Sequence, residues 1–326
     1  MKNTVPYTRL AVLGLLVGLC AWTQVPGRRL GQFTRSVVPD RIAGAELRCE
    51  NGFIAVFDLN DSPRVLVYGR TGLLERAHDL ALPDTLRFSP NDVSVSANGL
   101  VAVAGSAVSA EGAVASVIFL FQKPGPPTRV IRTNPFDPIR IALSRDGHLW
   151  VFGRDPQAEK RREDYPVFQR YTLDGRLTGQ FVMRSTFPSR THPAMHGGRN
   201  GGVSCLRAAR QGIGAYTAVE REWIELDGGG SLVGRWKPRP PLGASDCSVE
   251  RVAVTDSGSV YAQLLLGSRR VLCRLDRSGE VWEPIDGTDY ELKGPIPVAT
   301  QLFGVDGDQL VYRGPTRELL WFDEPR

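Results

Sequence analysis

The sequence predicts an all-β fold in which repeated four-stranded units close into a ring, and three observations predict it. A hairpin built on a turn glycine recurs along the chain at near-constant spacing. Glycine (35) and proline (23) are both abundant, as many short strands joined by turns require. The last copy is one strand short, and a segment near the N-terminus matches the strand it lacks.

The six copies read ELRCENGFIAVF (46–57), VSVSANGLVAVA (93–104), IALSRDGHLWVF (141–152), LRAARQGIGAYT (206–217), VAVTDSGSVYAQ (252–263) and QLFGVDGDQLVY (301–312). Their turn glycines are Gly52, Gly99, Gly147, Gly212, Gly258 and Gly307, spaced by 47, 48, 65, 46 and 49 residues. A second hairpin follows most of them, as in VLVYGRTGLLER and WIELDGGGSLVGRW. Four strands and two glycine turns in this span match the period of a β-propeller blade. The interval of 65 is too short for an extra blade. It is filled by a charged loop, RDPQAEKRREDYP (154–166), and a polar connector, STFPSRTHPAMHGGRN (185–200).

The sixth copy ends at LLWFDEPR after three strands. RLGQFTRSVV (29–38) matches the fourth strand of the third unit, RLTGQFVMR (176–184), through a shared Gly-Gln-Phe. Pairing that N-terminal strand into the last blade removes an exposed edge. The expected architecture is a six-bladed β-propeller closed by an N-terminal strand, a single domain spanning 29–326.

Ahead of it, residues 1–23 carry Lys2 and Arg9 and then an apolar run, LAVLGLLVGLCAW (10–22). Thirteen apolar residues are too few to cross a bilayer as a helix but suit a signal peptide. Retained, the segment would tether the chain to a membrane. A periplasmic or secreted location is expected, and Cys20 leaves a lipidated N-terminus as a variant of it. Four cysteines then remain, Cys49, Cys205, Cys247 and Cys273, in a compartment where disulfides persist. None of them forms a CxxC, which argues against zinc knuckles and thioredoxin-type chemistry.

The net charge of +5 comes from arginines scattered among acids rather than from a basic tract, so no nucleic-acid footprint is present. Gly-x-Ser-x-Gly elbows and Walker-type phosphate loops are missing as well.

Propeller sites commonly lie at one mouth of the central channel, where the innermost strands begin. Counting seven residues back from each turn glycine gives Ala45, Asp92, Arg140, Cys205, Arg251 and Thr300. The next column, Glu46, Val93, Ile141, Leu206, Val252 and Gln301, is apolar in its four middle members and should face the other way. Asn91, Asp92, Arg140 and Arg251 are therefore the candidate ligand-binding residues. Guanidinium groups there suit a small anionic or sugar-like ligand. The competing reading is structural: Asp92 pairs with an arginine across the ring and holds neighbouring blades together. Cys205 and the connection carrying Cys247 come from adjacent blades, which makes them the preferred disulfide, with Cys49 and Cys273 free and buried.

The first unit, NGFIAVFDLNDSPRVLVYGRTGLLER, resembles an NHL repeat through its glycine turn, Asp58, Asn60 and Arg64-Val65. That resemblance implies a six-bladed propeller of the kind found in bacterial envelopes, and such families are mixed in function. The stretch SPNDVSVSANG (89–99) is similar to the Pro-Asn-Asp segment of gluconolactonase/regucalcin-type propellers, which are metal-dependent lactonases. The resemblance implies a substrate-facing Asn91 and Asp92, with Glu46 as a metal ligand beside Asp92 for calcium or zinc. The third, fourth and fifth inner strands place no Asn or Asp at matching depth, and a hard divalent ion needs several converging oxygens.

Histidine gives no alternative centre. The spacing of His192 and His196 is that of a helical metal pair, but Pro193 and Gly197-Gly198 argue for a loop. His148 sits just past a turn, at the far end from the mouth. The expectation is an exported, monomeric propeller acting as a binding or interaction scaffold for a protein or a small anion, without catalytic machinery or cofactor. The alternative is a lactonase-like hydrolase.

Overall fold

The computed structural model describes residues 28–29, 31–37, 47–59, 63–81, 85–196, 202–241, 247–267, 269–286, 301–314 and 318–325. The expected leader (1–23), Ala45, Glu46 and Thr300 lie outside the described residues. The described chain is almost entirely strand.

Two short strands come first, β1 (Arg28–Arg29) and β2 (Phe33–Val37). The first repeat unit is β3 (Leu47–Glu50), β4 (Phe53–Asp58), β5 (Arg64–Tyr68) and β6 (Leu74–Asp79). The second is β7 (Thr85–Val95), β8 (Val101–Ser109), β9 (Val114–Phe121) and β10 (Arg129–Arg132). The third is β11 (Asp137–Leu143), β12 (Leu149–Arg154), β13 (Pro166–Tyr171) and β14 (Leu177–Met183), with one helix, α1 (Pro156–Arg161), between β12 and β13. The fourth is β15 (Cys205–Ala209), β16 (Gly212–Thr217), β17 (Glu222–Asp227) and β18 (Leu232–Trp236). The fifth is β19 (Ser248–Val254), β20 (Val260–Leu266), β21 (Arg269–Asp276) and β22 (Val281–Asp286). The last is β23 (Gln301–Asp306), β24 (Gln309–Arg313) and β25 (Leu319–Phe322).

Within every unit the strands form an antiparallel meander in chain order. β2 lies antiparallel to β25, with Val37 opposite Leu319 and Phe33 opposite Phe322. The N-terminal strand thus supplies the outer edge of the last sheet, the pairing expected from the Gly-Gln-Phe match. An unanticipated addition is β1, which pairs parallel with β22 at the outer edge of the fifth unit.

Two turn chemistries organise the inner hairpins. Units two, three and five use five-residue turns opened by Ser96, Ser144 and Thr255. Each hydroxyl donates back to the carbonyl four residues on, at Leu100, His148 and Ser259. The first unit instead turns on Asn51-Gly52 alone, both at positive φ (52° and 78°), as a tight hairpin requires.

Six apolar clusters among the described residues fill the spaces between successive units. Trp150 and Phe152 of the third unit meet Leu206 and Ile224 of the fourth. Cys49 and Ile54 of the first meet Phe303 and Trp321 of the last. At that joint Gly304 pairs parallel with Cys49, and a Cβ on Gly304 would stand 2.2 Å from the Cys49 carbonyl oxygen. The expected core column is buried, with Val93, Ile141, Leu206 and Val252 at 3% exposure or below. Meandering sheets packed face to face around a common channel make a propeller-type fold.

Two corrections concern connections. The charged stretch 154–166 is not simply a loop. Asp155 caps α1 by accepting from Gln157 N and Ala158 N, and Arg162 ends it in the left-handed region at φ 58°. The connector after β14 begins with a single 3₁₀ turn, Arg184–Thr186. Arg184 then organises it by donating to the carbonyls of Phe187 and Ser189.

Candidate functional site

The first strand of each unit turns one edge toward the channel, where its backbone groups have no further strand to pair with. Side chains from neighbouring units fill that role. Asp92 Oδ2 accepts from Ile141 N at 3.0 Å, and Ser94 Oγ accepts from Leu143 N at 3.0 Å, tying the second unit to the third. Arg140 Nε donates to Ser204 O (2.7 Å), and Arg207 Nε donates to Val252 O (3.0 Å), carrying the pattern to the fourth and fifth units. Gln263 Oε1 accepts from Leu302 N at 2.7 Å and reaches the sixth.

Arg48 stands at the waist of the channel and is 5% exposed. Its Nη1 donates to Asp92 Oδ2 (3.0 Å) and Ile141 O (2.9 Å), and its Nη2 to Glu50 Oε1 (2.6 Å) and Leu206 O (2.8 Å). Four units therefore meet at one guanidinium. Burial alone would lower its pKa, but Glu50 and Asp92 outweigh burial and raise it. The second oxygen of Glu50 accepts from Ser94 Oγ at 2.9 Å.

Above this waist lies a cavity of about 200 Å³ at the strand-entry mouth. Asp92, Arg140, Cys205 and Arg251 from the glycine-counted column all line it, together with Arg48, Ser204, Arg207 and Glu250. Arg48 and Arg207 also line a second cavity below the waist, whose lining includes the Arg145–Asp256 ion pair (2.6 Å).

Asn91 is the one ligand candidate not on the cavity wall. Its Nδ2 donates to Pro138 O at 2.8 Å and its carbonyl accepts from Arg140 Nη1 at 3.1 Å, so it ties the second unit to the third. Asp92 is spent in the same way, with Oδ1 accepting from Val93 N and Oδ2 shared by Arg48 and Ile141 N. These oxygens do not fit a divalent cation, because a guanidinium already stands 3.0 Å from Asp92 Oδ2. Among the described residues no group of three His, Cys, Asp or Glu side chains is arranged to hold a metal ion.

The expected Cys205–Cys247 disulfide is not formed, and no disulfide joins the four described cysteines. Cys205, Cys49 and Cys273 are buried and Cys247 is half-buried. Both Cys205 and Cys247 lie close enough to Tyr216 to act on its hydroxyl, whose pKa is raised first by burial and then by Cys247.

The histidines are apart from one another in role. His148 is half-buried beside its turn, with Nδ1 3.2 Å from Asp146 Oδ2. His192 is buried and stacks parallel to Tyr165 at 6.2 Å. His196 is exposed, and its Nε2 lies 3.3 Å from Arg140 Nη2 at the cavity rim.

Arg48, Glu50 and Arg207 were not reached by counting back from turn glycines, and Ser94 lies two residues past the counted Asp92 on the same strand. The first and fourth units turn in two residues rather than five, so the same count lands at a different depth on their strands. Aligning the strand ends instead would have exposed Arg48 and Arg207 as polar residues at positions that are apolar in other units.

No protein-family model matches the chain. No curated protein matches it either. Among solved structures it is similar to a Bacteroides fragilis protein named for an expected export, with TM-score 0.49 and 11% identity over 90% of this chain and 93% of that one. It is also similar to a Bacteroides uniformis protein named by expectation as a 6-phosphogluconolactonase (0.43, 13%, 88% and 89%). A third is the WD40 domain of Toxoplasma gondii coronin (0.45, 9%, 92% and 89%). No described helix is long and apolar enough to cross a membrane.

Proposed function

We propose that the protein is an exported six-bladed propeller that acts as a binding scaffold, with its ligand at the strand-entry mouth and no catalysis of its own. The six-blade count is supported by the apolar clusters, which link successive units and return from the last to the first. Export follows from the apolar run at 10–22, with 29–326 as one monomeric domain.

The observation that carries the binding role is the division of labour at the mouth. Asn91 and Asp92 are consumed in holding the units together, while arginines line a cavity open to solvent. A lactonase-type centre needs those same oxygens for metal and substrate.

The test is lactone hydrolysis and thermal unfolding with calcium, zinc or chelator. The expected result is no turnover and no metal-dependent stabilisation. Chelator-sensitive turnover that is lost in Asn91→Ala would overturn the scaffold reading. N-terminal sequencing of the mature protein tests export, and material retaining Met1 would refute it.

A further inference from the structure

Two guanidiniums in the mouth cavity are held rigidly and lack a counter-charge. Arg140 is 8% exposed, with Nε on Ser204 O (2.7 Å) and Nη1 on Asn91 O (3.1 Å). Arg207 is held in the same manner, with Nε on Val252 O (3.0 Å) and Nη1 on Leu206 O (2.9 Å). Each is pinned through two nitrogens by backbone carbonyls, which leaves its Nη2 as the remaining donor. On Arg140 that group lies 3.3 Å from Nε2 of the exposed His196, which an arriving ligand can displace. Neither arginine has a carboxylate within ion-pair distance among the described residues. Burial and the nearby Arg48 lower the pKa of Arg207 and outweigh the opposing pull of Glu50 and Asp92.

The carboxylates on the same wall are already committed. Glu250 is held by Arg270 through Nε–Oε2 at 2.8 Å and Nη2–Oε1 at 3.2 Å. Asp92 is held by Arg48, which is shared with Glu50. Three central guanidiniums, Arg48, Arg140 and Arg207, thus face two carboxylates, Glu50 and Asp92, so at least one negative charge is missing among them, while Arg251 on the same wall lies over the Phe303 ring of the last unit. A second charge on a ligand would share the cavity with the Asp92 and Glu250 carboxylates.

Deepening the scaffold reading on which it rests, we infer that the mouth cavity is a site for a small organic monoanion, its single carboxylate bound between Arg140 and Arg207. Guanidiniums fixed in place before binding lose little freedom when the carboxylate arrives, which favours recognition by a fork donor over a mobile lysine. The cavity of about 200 Å³ holds a body of a few carbon and oxygen atoms beyond the carboxylate. Cys205 lies on the same wall and should be covered by the bound acid.

The experiment is thermal unfolding of the full chain with acetate, glycerate, succinate, sulfate or chloride at equal ionic strength. Acetate and glycerate are expected to raise the midpoint saturably over chloride, and succinate and sulfate to do so much less. Arg207→Gln is expected to weaken glycerate binding at least about tenfold, since a charge-assisted bond is removed. Should that variant fail to fold, wild-type protein gives an independent reading: glycerate should slow iodoacetamide labelling of Cys205 and leave Cys247 unaffected. A midpoint indifferent to every monocarboxylate, with labelling unprotected, overturns the inference. Tighter binding of sulfate or succinate overturns the monoanion class. Metal-dependent lactone turnover would instead overturn the scaffold reading, and it is scored in a separate assay.

Discussion

Arg48 Nη1 lies 3.0 Å from Asp92 Oδ2, joining the first repeat unit to the second across 44 residues of chain. The same guanidinium reaches Glu50 and two backbone carbonyls of the third and fourth units. Removing it would strand two largely buried carboxylates and two acceptors at once. Breaking a buried pair from one side typically costs about 3–5 kcal/mol. Arg48→Met is therefore expected to lose about that much in urea unfolding. Adding Glu50→Gln and Asp92→Asn should restore a large part of it, because no buried charge is then left alone. A single variant within about 1 kcal/mol of wild type would show that the waist is not structural.

A second clasp closes the ring from outside the channel. Asp306 accepts from Arg35 of β2 (2.9 Å), Arg70 of the first unit (2.6 Å) and Trp321 Nε1 (3.2 Å). Arg35 also lies over the Trp321 ring at 4.2 Å. Asp306→Ala should cost about 2–3 kcal/mol, since Trp321 Nε1 is buried and loses its acceptor. Arg70 is 61% exposed, and Arg70→Ala should cost less than about 1 kcal/mol. Amide hydrogen exchange checks the location of the effect: Asp306→Ala should speed exchange in β2 and β25 before the other sheets.

The repeat was legible because turn glycines and alternating apolar residues follow directly from backbone geometry. The Gly31-Gln32-Phe33 match to a strand 148 residues further on (Gly179-Gln180-Phe181) even pointed to β2. What escaped was set by turn length. Asn51-Gly52 shortens the first hairpin, so the residue at the waist is Arg48, outside the counted column. Helix α1 escaped because it is six residues long, with Pro156 at its first position and charges around it, a pattern shared with solvated loops. The disulfide expectation used proximity of neighbouring units, which does not fix the Cβ geometry a disulfide needs.

Acid should unfold the protein earlier than its carboxylates alone would. Burial first, then Arg76, pushes His78 down to about 4. Burial, followed by Arg184 and Arg154, pushes His192 down to about 3. Both start from an ordinary value of 6.5. Above pH 6.5 the rings are neutral whether the chain is folded or not, and their contribution is complete. Below it the unfolded chain takes up protons that the folded chain refuses, so stability falls as pH drops toward 4 and then 3. The slope approaches about 1 kcal/mol per pH unit for each histidine. Denaturant unfolding between pH 5 and 6.5, above the carboxylate range, isolates the effect. His78→Leu should flatten the profile there, and an unchanged slope would show that His78 is protonated in the fold.

The cysteines should separate by reactivity. Cys247 is half-buried, while Cys49 and Cys273 are enclosed between sheets. Burial, then Asp306 and Glu50, raises the Cys49 pKa and withholds its thiolate, the form that attacks disulfide reagents. With Ellman's reagent at pH 8, native Cys205→Ala protein, which lacks the thiol on the cavity wall, should show a fast phase that Cys247→Ser removes. Cys49 and Cys273 should react only when urea opens the sheets, at the rate of unfolding. A fast phase that survives Cys247→Ser and disappears in Cys49→Ala would mean that the joint between the last and first units opens in the native state, and that the Gly304–Cys49 bridge does not hold the ring shut.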